Sequence, residues 1–153
     1  MSARGRRAQP GVLRDGLEAG AVGAVLGGVP STVHALATGR DPLEATVAAG
    51  TLLLPRETRP GRLLLAAVPA HVALSLGWGA ALARVLPDRR TVALGAAAGL
   101  AIAALDLGVV GRRFPRIRAL SQAPQVADHL AFGALVGAVV SRRRRAGSGQ
   151  RRR

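Results

Sequence analysis

The chain has 153 residues, a formal net charge of +14 and 49% hydrophobic residues, yet its aromatic residues are one tryptophan and two phenylalanines. It has no cysteine, which excludes disulfides and thiolate metal sites. A soluble core of this size would need more aromatic volume, and a surface for nucleic acid would need stacking side chains, so neither class fits. The 22 basic residues, all arginine, instead lie between and beyond long apolar stretches, as they do in membrane proteins.

Residues 1–15 form a basic segment that we expect to be a cytoplasmic tail. The first apolar segment, residues 16–37, follows it and reads GLEAGAVGAVLGGVPSTVHALA. Its length fits one crossing of a bilayer, which needs roughly 17 to 25 residues. The arginines before it and the small residues Ala35 and Ala37 also fit a secretory signal, and its cleavage would leave three spans.

A shorter apolar stretch at residues 42–54 predicts a helix at the membrane interface, because it is too short to cross. Asp41 is suited to cap its start, Pro42 to occupy its first position and Glu44 to complete a capping box. Leu43, Val47, Gly50 and Leu54 would then share one face, which we expect to lie on the membrane.

Three further segments have the length and hydropathy of membrane spans: residues 63–86, 91–111 and 124–141. Pro30 and Pro69 are expected to kink the first two spans. Residues 142–153, which read RRRRAGSGQRRR, predict a solvated, disordered cytoplasmic tail that contacts anionic lipid headgroups. The predicted fold is therefore all-α, an integral membrane four-helix bundle at residues 16–141 with a short interfacial helix after the first span.

The distribution of arginines predicts the orientation of this bundle. Four spans place both termini on one side, and with the termini cytoplasmic 14 arginines lie inside and 8 outside. Four of the outer ones, Arg112, Arg113, Arg116 and Arg118, lie in one loop without an acidic residue, which conflicts with the rule. We therefore expect a multi-pass protein of the cell membrane. The arginines do not decide on which side of the membrane this loop lies.

Glycines recur at four-residue spacing in three of the four spans. This spacing places small residues on one stripe of a helix, where two backbones can approach closely. We predict helix packing through Gly16, Gly20, Gly23, Gly27, Gly28, Gly95, Gly99, Gly133 and Gly137. The spacing fits equally well with packing inside one bundle and with association of several copies.

Ionisable residues inside the spans are expensive in hydrocarbon and need a partner, a cavity or the interface. With 1.5 Å of rise per residue, Glu18 lies at the inner end, while the other five converge on the outer half. We call these five the polar layer: His34, His71, Asp106, Asp128 and His129. Several of them share a helix face with the glycine stripes, so we expect them to face other helices rather than lipid.

Four roles fit the polar layer. It can be a hydrogen-bonded clamp between helices, or a proton or ion pathway. His34, His71 and His129 are candidate ligands for a metal such as zinc, although no two of them lie one turn apart on a helix. Catalysis has only the pair of Ser75 and His71 to support it, and helical serines more often bond their own backbone. No cofactor is predicted.

Three stretches, GLEAGAVGAVLGG, GVPSTVHALATGRDPL and ADHLAFGALVG, resemble small multi-pass bacterial integral membrane proteins. The resemblance implies a place in the membrane and no particular activity. We therefore expect a non-enzymatic accessory or small homo-oligomeric membrane component. The alternative is a small proton- or metal-ion-coupled transporter or channel subunit. Lipid, and either further copies or a larger complex, are the expected partners, and nucleic acid is not.

Overall fold

The computed structural model describes residues 10–150, with side chains for residues 11–147. This part of the chain is helical and contains no strand. A π-helical turn, Asp106–Val110, and a 3-10 turn, Gly111–Arg113, follow the fifth α-helix. The α-helices are α1 Pro10–Leu26, α2 Val29–Ala37, α3 Glu44–Gly50, α4 Pro60–Val85, α5 Thr91–Leu105, α6 Pro115–Arg118 and α7 Gln122–Gln150.

Four helical stretches are long and apolar enough to cross a membrane: Gly11–Ala37, Pro60–Val85, Thr91–Arg113 and Gln122–Gly147. They confirm the number and order of the apolar helices that the sequence predicts. Large apolar side chains also point outward, with Val25 and Leu65 each 77% exposed. A water-soluble protein would bury such residues, whereas a bilayer surrounds them with hydrocarbon.

The first of these stretches is interrupted near its middle. α1 ends at Leu26 and α2 begins at Val29, with Gly28 as the residue that precedes it. Pro30 lies in the first turn of α2, where its missing N–H is tolerated. The sequence predicts a kink here, and the structure shows a full break because Gly27 and Gly28 leave the helix.

Pro69 has a smaller effect, since it lies inside a continuous α4.

The helix α4 begins after Glu57, whose carboxylate accepts the backbone N–H groups of Thr58 and Arg59 and pairs with Arg62. These backbone and side-chain bonds hold the pKa of Glu57 below its usual value, because they favour the charged carboxylate.

The short helix α3 differs from its prediction in length and in its cap. It covers Glu44–Gly50 instead of residues 42–54, and Leu43 precedes it without a side-chain cap. Asp41 accepts the N–H of Leu43 at 2.8 Å, but Glu44 bonds Arg40 and forms no capping box. The expected face is only half used, because Val47 and Gly50 are buried whereas Leu43 and Leu54 are exposed.

The helices pack as two close pairs joined by α7. α1 contacts α4, α5 contacts α7, and α7 also contacts α1 and α2. α3 packs against α4 and α6 at one end of the molecule. The buried core lies toward the other end and comprises Ala19, Leu82, Ala83, Leu86, Ile102, Val136 and Val140.

The arginines that follow the fourth span are part of the fold. The prediction of a disordered segment was wrong for residues 142–150, because α7 continues to Gln150. Arg143 pairs with Asp15 and Glu18 of α1, each at 2.9 Å. These contacts fix the end of α7 to the start of α1. Residues 1–9 and 151–153, which include the rest of both expected tails, lie outside the described part.

Arg144 makes a second set of contacts at the same end. Its guanidinium donates to the carbonyl oxygens of Ala83 and Leu86, at 2.8 and 2.9 Å, and to Asp88. Carbonyls in the last turn of a helix have no partner within that helix. Arg144 therefore caps the C-terminus of α4 from α7.

Candidate functional site

Glycines bring the backbones of α5 and α7 into direct contact. A Cβ added at Gly133 would collide with the carbonyl of Gly95, and one added at Gly99 with the carbonyl of His129. At Gly137 an added Cβ would come within 2.5 Å of the Thr91 carbonyl oxygen. Larger residues would force the two helices apart, so this interface needs glycine on both sides.

A second glycine contact joins α1 to α4. Added Cβ atoms would meet the Ala80 Cα at 2.7 Å from Gly16 and the Ser75 carbonyl oxygen at 2.5 Å from Gly20. Gly79, which the sequence analysis does not single out, faces the Gly16 carbonyl from α4. The predicted glycine stripe on α1 therefore packs against Gly79 of α4. α4 has no glycine four residues before Gly79, since the preceding glycine is Gly77.

Gly23 of α1 and Gly27, just beyond its end, face an aromatic residue. An added Cβ at Gly23 would lie 2.6 Å from the ring of Phe132 on α7, and Gly27 faces the same residue. Gly28 takes no part in this interface, since a Cβ there would meet no atom within 4 Å. Gly28 lies in the break between α1 and α2, so its predicted packing role has no support within this chain.

Asp106 and His129 form a pair between the π-helical turn and α7. His129 Nε2 lies 3.3 Å from Asp106 Oδ2, and His129 Nδ1 lies 2.8 Å from the Gln125 carbonyl oxygen. A carbonyl oxygen only accepts hydrogen bonds, so Nδ1 carries a hydrogen. A neutral ring would then present a lone pair to Asp106, and the contact requires a proton between them. A proton carried by either residue would therefore bridge this contact.

Asp128 and His71 bind the two ends of the broken first span. The N–H of Ser31, in the first turn of α2, donates to Asp128 Oδ1 at 2.8 Å. The carbonyl oxygen of Ala24, in the last turn of α1, accepts from His71 Nε2 at 2.8 Å. A carboxylate at a helix N-terminus is favoured by the helix dipole as well as by the hydrogen bond.

Four of the five side chains of the polar layer therefore have a hydrogen-bond partner. His34 is the exception, because its side chain has no hydrogen bond or ion pair with any residue from 11 to 147. His71 is also largely exposed at the side of the helix pair, although its ring nitrogen is bonded.

A metal site of His34, His71 and His129 is not formed. The described residues contain no group of three or more histidine, cysteine or carboxylate side chains placed to hold a metal ion. His71 and His129 are each committed to a carbonyl oxygen on different helices. Ser75, the one candidate nucleophile, is buried with its backbone against Gly20, so the structure adds nothing to a catalytic role.

Comparison with known proteins gives no assignment. No protein family, no curated protein and no solved structure matches the chain. The geometry of the site therefore carries the functional argument.

Several residues that shape the site were not predicted from the sequence. Ser31 and Ala24 contribute backbone groups, which leave no signal in the side-chain pattern. Gly23 and Gly27 were expected to face a helix backbone, and instead they accommodate Phe132. The clustering of Asp15 and Glu18 one helical turn apart could have suggested a shared basic partner, and that partner is Arg143.

Proposed function

We propose that this chain is a non-catalytic integral membrane component, an accessory subunit or small homo-oligomer, whose polar layer clamps a broken first span. The four apolar stretches form a four-helix bundle in the cell membrane, with both termini cytoplasmic and α3 at the opposite interface. The arginine distribution supports this orientation. The glycine contacts support the bundle, since they bring α1 to α4 and α5 to α7 at backbone distance.

The observation that carries this proposal is the pairing of Asp128 and His71 with the two helix ends at the break. A backbone N–H or carbonyl without a partner costs several kcal/mol in hydrocarbon. The break in the first span leaves such groups on both sides, at Ala24 and Ser31. Side chains from two other helices satisfy them, at 2.8 Å in each case. Asp128 and His71 therefore have a structural task that the fold itself creates.

The same pairing argues against substrate binding at the break. In many transporters, the ends of a broken helix point at the substrate or at a coupled ion. Here the protein's own carboxylate occupies the N-terminal end of α2, and its own imidazole occupies the C-terminal end of α1. Four helices also leave little room for alternating access unless several copies associate.

One observation favours a second candidate, a proton-linked transporter or channel subunit. His129 Nε2 and Asp106 Oδ2 lie 3.3 Å apart, and intramembrane carboxylate and histidine groups are typical of proton relays. Asp106 also begins a π-helical turn, a local widening that is frequent at functional sites. In this candidate the proton would move between Asp106, His129 and Asp128.

Substitutions at Asp128 separate a clamp from a relay. We expect Asp128→Leu to lower the free energy of unfolding by about 1–2 kcal/mol, because the Ser31 N–H loses its acceptor. Asp128→Asn should cost less than half of that, since its amide oxygen can still accept this bond. Thermal unfolding in detergent measures both, and His34→Leu is the matched control because His34 has no hydrogen-bond partner among the described side chains.

Proton flux into liposomes, followed with an enclosed pH-sensitive dye, completes the experiment. The clamp predicts no flux above that of empty liposomes for the natural protein or any variant. Flux that Asp128→Asn or His129→Gln abolishes without a change in unfolding temperature would contradict the clamp and favour the relay.

A further inference from the structure

A groove of about 480 Å³ opens on the outside of the pair formed by α5 and α7. Its floor is apolar and comes from α5, the π-helical turn and the beginning of α7. The apolar lining comprises Leu100, Ala103, Ala104, Leu107 and Val126. From Leu100 to Gly108 the helix rises about 12 Å, so the groove runs along the membrane normal for part of one leaflet.

Two arginines lie at one end of this groove, together with Gln122. The guanidinium groups of Arg112 and Arg118 are exposed and have no hydrogen bond or ion pair within residues 11–147. By contrast, Arg14, Arg143 and Arg144 each pair with a carboxylate. Gln122 donates to the carbonyls of Ile117 and Leu120, so its amide N–H groups are already used.

The groove has arginines at one end and an apolar floor beyond them, and a phospholipid likewise has a charged phosphate followed by apolar acyl chains. Arginines at a membrane interface favour phosphate, which a guanidinium binds through two parallel hydrogen bonds. The apolar floor continues from them toward the membrane centre and offers contact to an acyl chain. No acidic residue lines the groove, and this positive charge favours an anionic lipid over a zwitterionic one.

We propose that this groove binds one anionic phospholipid, with its phosphate on Arg112 and Arg118 and an acyl chain along Leu100, Ala104 and Leu107. The site goes beyond the polar layer and needs only that the chain is embedded in a membrane. It also gives a reason for the basic loop that conflicts with the predicted orientation. That loop binds a lipid headgroup on its own side of the membrane.

Gly108 makes the groove testable without removing a charge. It lines the groove, and a Cβ added there would meet no atom within 4 Å. Gly108→Leu should therefore fold and fill the groove. The charge variant is Arg112→Gln with Arg118→Gln. Its matched control is Arg56→Gln with Arg113→Gln, since both of these arginines are exposed, lie outside the groove and have no partner among the described residues.

The experiment measures binding of phosphatidylglycerol to the full chain in detergent by native mass spectrometry, with phosphatidylcholine alongside. We expect one tightly retained phosphatidylglycerol, about twenty-five-fold weaker in the charge variant, from about fivefold per arginine. Gly108→Leu should also weaken it. The control variant should leave this first binding step unchanged, because the arginines outside the groove, including those of the tails, take no part in it.

Three outcomes would overturn the proposal. Equal loss in the control variant would show diffuse attraction of charges, and unchanged binding in Gly108→Leu would show that the groove takes no acyl chain. Equal competition by glycerol phosphate would identify a site for free phosphate instead. Flotation of the natural protein with liposomes tests membrane embedding separately, so its failure is distinguishable from failure of the lipid site.

Discussion

Replacing Gly133 with leucine is expected to lower the free energy of unfolding by about 3 kcal/mol, the upper end of the usual cost of overpacking. Gly133 and Gly95 are in contact through their backbones, so no flexible side chain can move aside for the new one. α5 and α7 would have to separate, and the Asp106–His129 pair would separate with them. The unfolding temperature in detergent, read from the fluorescence of the one tryptophan, Trp78, measures the effect.

Gly77→Leu is the matched control for this substitution. Gly77 also lies inside a long helix, but a Cβ there would meet no atom within 4 Å, so the leucine would project outward. It should leave the unfolding temperature unchanged or raise it, because glycine is a poor helix former. If both leucine variants unfolded at the same temperature, α5 and α7 would not be in backbone contact.

Arg143→Met is the second substitution from which we expect a large effect, a clear fall in the unfolding temperature. Arg143 binds Asp15 and Glu18 together, and its side chain is only 37% exposed. An isolated exposed ion pair contributes little to stability, but one guanidinium that binds two carboxylates forms a network, which contributes more. Methionine keeps the apolar length of the side chain, so the variant removes charge and hydrogen bonds rather than packing.

Arg142→Met is the control, since Arg142 is exposed and forms no hydrogen bond or ion pair with another described residue. Both variants lose one positive charge next to the same membrane surface. High salt should reduce the difference between them, because exposed ion pairs are screened. Equal unfolding temperatures at low salt would mean that Arg143 only anchors topology and does not hold α1 to α7.

These two sites show different degrees of predictability from the sequence. The glycine stripe of Gly95, Gly99, Gly133 and Gly137 is visible as a spacing, but the pairing of α5 with α7 is not, because three spans carry such a stripe. The role of Arg143 is not visible, because it stands among identical arginines in a segment that looks like a disordered tail. Only the continuation of α7 to Gln150 brings one of these arginines beside Asp15 and leaves its neighbour outside.

The polar layer lies between these two cases. Its five members could be named from their cost in hydrocarbon, and helix rise placed them at similar depth. Their partners could not be named, because Asp128 and His71 bind backbone atoms of Ser31 and Ala24. Those atoms need partners only because Gly27 and Gly28 break the first span, and the sequence predicts a milder kink at Pro30.

The sequence by itself determined the helical class, the four apolar stretches and the positions of the small and ionisable residues along them. Those properties are local, since length, hydropathy and helical period act over one or two dozen residues. The tertiary structure decided which groups meet. Ser31 and Asp128 are 97 residues apart, and Asp15 and Arg143 are 128 apart. Such contacts depend on how whole helices cross and where one of them breaks, and no pattern within a single helix contains that information.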